Sequence, residues 1–414
     1  MRIAVGFLTA GVAAEFFHRQ IIAVAIPPLQ KELGFSDTEA GALIFAFATG
    51  YAVFSLVLGR IADRGNRRNI YVAGMALWSL ATAAAAACSS FAMLMATRLL
   101  VGGAQGASGA CNGPILADYV KPERRSGAMA LVSVGAALGV LGALIGGAFA
   151  TAALGWRGFF VWSGVGGVAF ALLFVAMVAE PPRGWSEGHA EKPGEQPPVR
   201  DALRVITHTP ALRDSVIAVS LANTALLAPA QWGPTFFTRV YHMNLADAGV
   251  AGGVAGLFAV GGGVAGGLIA DRMWLRDARN VLRLPGICAL IASPLCFLAF
   301  RAPNAGSSIV LLVLSTGLGM IHTAPAGAVL QALAPLRTRA LLSGVVNALL
   351  TFVAMGGGPL LTGWLSDQLG SSNDGAGLAR ALSYSAFLYF GAGVFLVRAS
   401  RTLVPDLERV RAAA

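Results

Sequence analysis

Charge is scarce in this chain. Of 414 residues only 12% are charged, with 20 acidic side chains against 30 Lys and Arg. A soluble globular protein carries roughly one-quarter, so a soluble enzyme is excluded as a starting point. Cysteine is nearly absent too. The four present, Cys88, Cys111, Cys288 and Cys296, lie in apolar stretches without CxxC or Cys/His spacing, so they imply neither disulfide nor metal. The five histidines, at 18, 189, 208, 242 and 322, are scattered. No HExxH, GxSxG or Walker A sequence occurs, which argues against a membrane enzyme, a resident metal or cofactor, and a nucleotide-driven pump. Only one long hydrophilic segment exists, Glu180 to Pro210, and it is too short to fold as a nucleotide-binding domain.

What the chain has instead is apolar length. Hydrophobic residues make up 56%, with 52 glycines and a mean hydropathy of +0.69. A bilayer core needs about twenty apolar residues per helix. That criterion predicts spans near 3–27, 38–58, 70–88, 92–117, 127–152, 158–179, 214–238, 248–270, 282–300, 308–331, 341–364 and 380–400. The expected fold is an all-α polytopic membrane protein of twelve transmembrane helices in two six-helix, pseudo-symmetric bundles. The expected divisions are 1–179, a linker over 180–212 in which "VRDALRVI" forms a short surface helix, and 213–414 with a short tail. The first apolar run lacks a small-residue cleavage pattern and is read as a retained span.

A net charge of +10 would suit nucleic acid, but the basic residues sit in short interhelical loops. With the N-terminus placed inside, 23 Lys and Arg fall on the inner side and five on the outer, and Arg19 and Arg98 lie within spans. That bias places both termini in the cytoplasm of a bacterial-type inner membrane. The bilayer is then the large partner, no nucleic acid is expected, and a monomer is.

The chain repeats itself. "SDTEAG" at 36–41 and "GRIADR" at 59–64 return as "NLADAG" at 244–249 and "GLIADR" at 267–272, both offset by 208 residues without a gap. Arg68 meets Arg276 at the same offset. Two six-helix halves in parallel repeat, with solute held between them, imply alternating access rather than a fixed pore.

"GRIADRGNRRN", residues 59–69, resembles the loop 2/3 signature of the major facilitator superfamily, G-x-x-x-D-R-x-x-R-R. Gly59 would admit a neighbouring helix, Asp63 would face a helix N-terminus, and Arg64, Arg67 and Arg68 would bridge to Asp118 or Glu123. Together with Asp271 and Arg272 of the repeat they form a candidate conformational latch. "RLLVGGAQG", residues 98–106, resembles that superfamily's fourth-helix motif and sets Arg98, Gly102, Gln105 and Gly106 on one helical face. Within the superfamily the chain resembles the Spinster family through "HRQIIAVAIPPLQKELGFSDTEAG", "EPPRG", "GGLIADRMWLRDARNVLRLPG" and "GGGPLLTGWLSDQLG".

The Spinster resemblance implies a secondary transporter of amphiphilic, lysolipid-like anions, often coupled to protons. This chain departs from the family at both usual carboxylates, having His18-Arg19 in helix 1 and Gln105 in helix 4. Small organic acids or drug-like compounds, and a facilitator that uses no ion gradient, stand as alternatives.

Glu15 is the only acid deep in any span, in "EFFHRQ" at 15–20. At 100° per residue, Glu15, His18 and Arg19 share a broad face. Two readings are open: an i, i+4 pair of Glu15 and Arg19 that neutralises itself, or a cavity face on which Glu15 or His18 titrates while Arg19 or Arg98 holds an anion. Further solute-contact candidates are Gln105, Asn223, Gln231, Trp232, His322 and Asn347. Phe16, Phe45, Phe47 and Tyr51 are read as packing.

Overall fold

Ser36 opens the second helix of the protein with a reciprocal cap. Its hydroxyl accepts from the amide of Glu39 at 3.2 Å, and the Glu39 carboxylate accepts from the Ser36 amide at 2.8 Å. At the repeat offset, Asn244 opens a later helix in the same way. Its side-chain oxygen accepts from the backbone amide of Asp247 at 2.8 Å, and here the side-chain NH2, in place of the backbone N–H, donates to the Asp247 carboxylate at 2.7 Å. The sequence repeat is therefore a repeat of local structure.

The computed structural model describes residues 2–182, 198–335, 338–370 and 375–412, so much of the expected linker lies outside the described residues. The helices are α1 Arg2–Leu33, α2 Asp37–Arg64, α3 Arg67–Ala85, α4 Phe91–Tyr119, α5 Arg125–Leu141, α6 Gly147–Met177, α7 Val199–His208 and α8 Pro210–Val240. They continue with α9 Leu245–Arg276, α10 Asn280–Ala299, α11 Ala305–Met320, α12 Thr323–Leu333, α13 Arg339–Leu349, α14 Gly358–Leu369 and α15 Gly375–Ala412. No strand occurs among the described residues. These helices build twelve transmembrane spans in two six-helix bundles.

Three spans are broken in ways that hydropathy does not report. A π-helical stretch, Gly142–Gly146, joins α5 to α6, and α6 itself turns at Gly155, whose φ of 69° only glycine adopts without strain. Another π-helical stretch, Leu350–Gly357, joins α13 to α14. A turn at Ile321 and His322 separates α11 from α12. "GRIADR" also differs from its expected place in a loop: α2 stays helical through Arg64, and only Gly65 and Asn66 separate it from α3.

Contacts divide the chain into two compact units. The first is Met1–Pro193 with Gly233–Thr238 and His242–Gly253, and the second is the remainder. In the first, α2 lies directly on α4, and a β-carbon on Gly102 would stand 2.0 Å from the Phe47 carbonyl oxygen. Such contact between backbones is how small residues hold helices together where lipid supplies no hydrophobic drive. In the second unit, α7, α8, α12, α13 and α15 share one apolar core that includes Ala202, Ile206, Leu212, Leu333, Leu342 and Leu403.

Candidate functional site

In the first unit α5 presses on α1 just before the charged stretch, since a β-carbon on Gly139 would lie 2.2 Å from the Ala13 carbonyl oxygen. One turn on, Glu15 is buried, and its carboxylate meets the Arg19 guanidinium at 2.5 Å. From α4, Ser108 donates its hydroxyl to the other carboxylate oxygen, and Gln105 donates its side-chain amide to the Glu15 backbone carbonyl at 3.1 Å. Three aromatic rings surround the guanidinium: Phe16 at 4.5 Å, Tyr51 at 5.0 Å and Phe47 at 5.6 Å. Their faces attract the cation, so Arg19 is held from α1 and α2 together.

Glu15, Arg19, Tyr51, Ser108, Asn112 and Ser133 line a cavity of about 320 Å³. A charge at a helix centre costs about 2.5–3.5 kcal/mol on insertion scales, and here each charge finds the other. The structure shows the pair formed and on a cavity wall, which is compatible with both readings.

His18 is a correction to the shared face. It is buried against α6, with Nδ1 2.8 Å from the Ala14 carbonyl and Nε2 3.2 Å from the Ser163 carbonyl. It lines a different groove, of about 390 Å³, with Gly139, Trp162 and Gly166. About 100° separates His18 from Arg19 on a helix. Because α1 is packed on several sides, that angle is enough to put the two into different interfaces.

Arg98 is buried at 1% exposure and borders none of these spaces. Its Nη1 and Nη2 find no hydrogen-bond acceptor among the described residues. Trp232 is a second correction: it neither stacks in a cavity nor anchors at an interface, but is fully buried and donates its indole N–H to the Pro359 carbonyl at 3.0 Å. Gln231 is buried beside it in the chain.

The second unit has its own cavity, of about 290 Å³, lined by Ser215, Asn223, His322, Thr323, Gln331 and Asn347. Asn223 donates to the Val219 carbonyl at 2.8 Å, and His322 Nδ1 lies 2.6 Å from the Gly319 carbonyl at the α11–α12 turn. These polar groups are interleaved with Val216, Val219, Leu330, Val346 and Leu350, and none carries a formal charge, in contrast to the Glu15–Arg19 wall.

At the opposite end of α3 the candidate latch residues separate. Arg67 reaches Asp118 at 2.9 Å, and Arg68 donates to the Val175 carbonyl. Arg64, Asp271 and Arg272 are exposed, and a β-carbon on Gly59 would meet no atom within 4 Å, so Gly59 is not a point of close helix approach here. The Asp63 side chain lies outside the described set. Glu180, passed over in the sequence as the start of a linker, accepts from the backbone amides of Arg67 at 3.0 Å and Arg68 at 2.7 Å. A carboxylate on the free amides of a helix start is favoured by charge and dipole together. The signal that would have found it is a lone acid directly after a span, on the side where α3 begins. Ser108 and Tyr51 were equally missed as partners of the pair; Ser108 stands one helical turn from Gln105 on the same side of α4.

Twelve spans, with a charged pair beside a cavity in the first unit, fit an integral-membrane solute transporter rather than an enzyme, and the family membership shows it. The chain belongs to the Major Facilitator Superfamily, whose profile matches residues 8–359. It is 30% identical over 394 residues to an MFS-type efflux pump of Mycolicibacterium smegmatis, covering 92% of this chain and 87% of that protein. It is 26% identical to the hexuronate transporter of Bacillus subtilis, covering 92% of each. A crystal structure of a bacterial homolog of the human lysosomal transporter Spinster, inward-facing and unoccupied, shares the fold with a TM-score of 0.86 at 23% identity, over 97% of both chains. The Spinster resemblance read in the motifs thus extends to the whole fold.

Proposed function

We propose that this chain is a secondary active transporter of an organic anion, with Arg19 as the anion-binding group and Glu15 as its exchangeable counter-charge. The observation that carries this reading is the 2.5 Å pair on the wall of a cavity. An anion arriving at Arg19 competes with the Glu15 carboxylate for one guanidinium, and a proton on Glu15 removes the competitor. Anion and proton then favour each other's binding, which is the linkage that coupled transport needs. His18, on the other side of α1, has no part in it.

The aromatic wall around Arg19 suits an amphiphilic, lysolipid-like anion, the class that the motif resemblance to the Spinster family implies. A second reading, a small hydroxylated acid, is favoured by the hydrogen-bonding groups of Asn223, Gln331 and Asn347 on the second unit's cavity and by the likeness to the hexuronate transporter. Alternating access moves bundles 1–179 and 213–414, as a monomer in an inner or plasma membrane. The basic bias of 23 inner to five outer residues supports both termini lying in the cytoplasm. Arg67, Arg68 and Asp118 serve there as the latch.

The test is substrate-dependent proton movement in proteoliposomes, with lysolipid-type anions and short hydroxy acids, on wild type and Glu15→Gln. Proton movement lost in Glu15→Gln while anion binding persists supports the reading. Anion flux without a proton signal, unchanged in Glu15→Gln, overturns the coupling and leaves Arg19 as an anion site alone.

A further inference from the structure

Among the described residues, the short helix α7 is docked on one side only. Ala202 and Ile206 are buried in the core of the second unit, with Leu212, Leu333, Leu342 and Leu403. Val199 and Leu203, four residues apart, are 55% and 46% exposed. About 60° round the helix from the buried pair, they form an apolar strip of their own. A further ~100° round lie Arg200 and Arg204, both exposed and again four apart. Asp201, the one acid of α7, falls about 60° beyond Arg204, away from the apolar strip.

One residue, Thr209, separates α7 from α8, whose expected span begins one helical turn further on, at 214. The start of α8 is fixed in place, since the Ala211 amide donates to the Asp406 carboxylate on α15 at 2.8 Å. So α7 is held at the level of the membrane surface. There an apolar strip flanked by arginines has a definite complement: acyl chains below and anionic head groups beside them.

We infer that Val199 and Leu203 insert at the membrane boundary while Arg200 and Arg204 bind the head groups of anionic phospholipids, making α7 a lipid-selective contact of this transporter. The surface belongs to the second unit and the Glu15–Arg19 pair to the first, and they share no residue, so the inference stands or falls independently of the transport reading. The occupant is the bilayer itself, because the apolar strip and the basic strip are contiguous and a soluble anion would engage only the second.

The four native cysteines are buried, so a spin label on Leu203→Cys reports that position. In vesicles of phosphatidylcholine with phosphatidylglycerol, the label is expected to be open to oxygen and shielded from an aqueous nickel chelate. In phosphatidylcholine alone the nickel shielding is expected to fall. An arginine at an anionic surface contributes about fivefold to association. Arg200→Gln with Arg204→Gln is therefore expected to reduce the phosphatidylglycerol retained per protein by up to about thirtyfold, as read by native mass spectrometry. Equal nickel access in both vesicles would overturn the proposal, as would undiminished phosphatidylglycerol retention in a double variant that melts like wild type.

Discussion

The hydroxyl of Ser108 on α4 donates to the carboxylate oxygen of Glu15 that Arg19 does not take. Two helices thus supply the two partners of one buried acid, and the pair is held from α4 as well as within α1. Removing one partner of such a pair leaves a charge uncompensated, which costs about 3–5 kcal/mol for a buried pair. Removing both leaves neutral groups. Arg19→Gln should therefore lower the melting temperature in detergent strongly, and Glu15→Gln with Arg19→Gln should recover most of that loss. Additive losses in this cycle would mean that the two side chains act separately.

Ser108→Ala removes a hydrogen bond to a charged group, typically ~1.5–3 kcal/mol. The expected melting shift lies between wild type and Arg19→Gln. Gln105 supports the backbone of the same residue at 3.1 Å, so Gln105→Leu should disturb the site without touching its charge. The readout is anion affinity: a fall in both variants fits a positioning role, and unchanged affinity in Gln105→Leu separates it from the site.

How much of this was legible in the sequence follows from where each partner lies. The Glu15–Arg19 pair is an i, i+4 relation within one helix, so periodicity alone brings it out. Tyr51, Ser108 and Glu180 answer to residues 32, 93 and 113 positions away, and no local pattern encodes those pairings. His18 was placed on the shared face because a helical wheel gives angles but not neighbours. The neighbours are set by Gly139 and Gly167, which let α5 and α6 close on α1. The twelve spans were legible because lipid thickness fixes their length. Their ends were not: hydropathy falls where lipid ends, whereas α2 continues as a helix through the polar "GRIADR" to Arg64.

At the other end of α1, beyond the apolar run, Glu32 joins two side chains that follow the Gly155 turn. It accepts from the Trp156 indole at 2.6 Å and from Arg157 at 2.5 Å, while Arg157 also reaches the Ala86 carbonyl at 2.6 Å. The indole N–H first, and the guanidinium second, hold the Glu32 carboxyl below its ordinary value of 4.5. A carboxylate whose folded value lies below its unfolded one adds stability above the unfolded value and loses it as pH falls through the folded one. The melting difference between wild type and Glu32→Gln should therefore be present at neutral pH and close as pH drops below 4.5. A difference that persists in acid would assign the clasp to shape rather than charge.

Glu180 gives a prediction for the region where α3 begins. Its carboxylate takes two free amides of that helix, at 3.0 Å from Arg67 and 2.7 Å from Arg68. Loss of a helix cap costs ~0.5–2 kcal/mol, so Glu180→Ala should lower stability by about that amount, with Glu180→Gln between the two. If the cap also ties the end of α6 to the Arg67–Asp118 ion pair and that pair acts as the proposed latch, transport should fall further than the melt accounts for. Equal proportional losses in melt and transport would make Glu180 a stability element alone.

Two glycines test the packing account against each other. A β-carbon on Gly102 would stand 2.0 Å from the Phe47 carbonyl oxygen, a backbone atom that cannot rotate aside. Gly102→Ala must therefore push α4 from α2, and overpacking of this kind costs ~1–3 kcal/mol. The displacement also moves the face of α2 that carries Phe47 and Tyr51 against Arg19, so anion affinity should fall along with stability. Gly59 sits on the same helix α2 but faces open space, with nothing within 4 Å of an added β-carbon. There alanine meets no obstacle and gains helix propensity of up to ~1 kcal/mol. Gly59→Ala should melt at or above wild type, in detergent and at neutral pH, while Gly102→Ala melts below it. Gly59→Ala melting below wild type would show that this position is closely approached by something the folded protein brings to it, and would return it to the contact role that the sequence suggested.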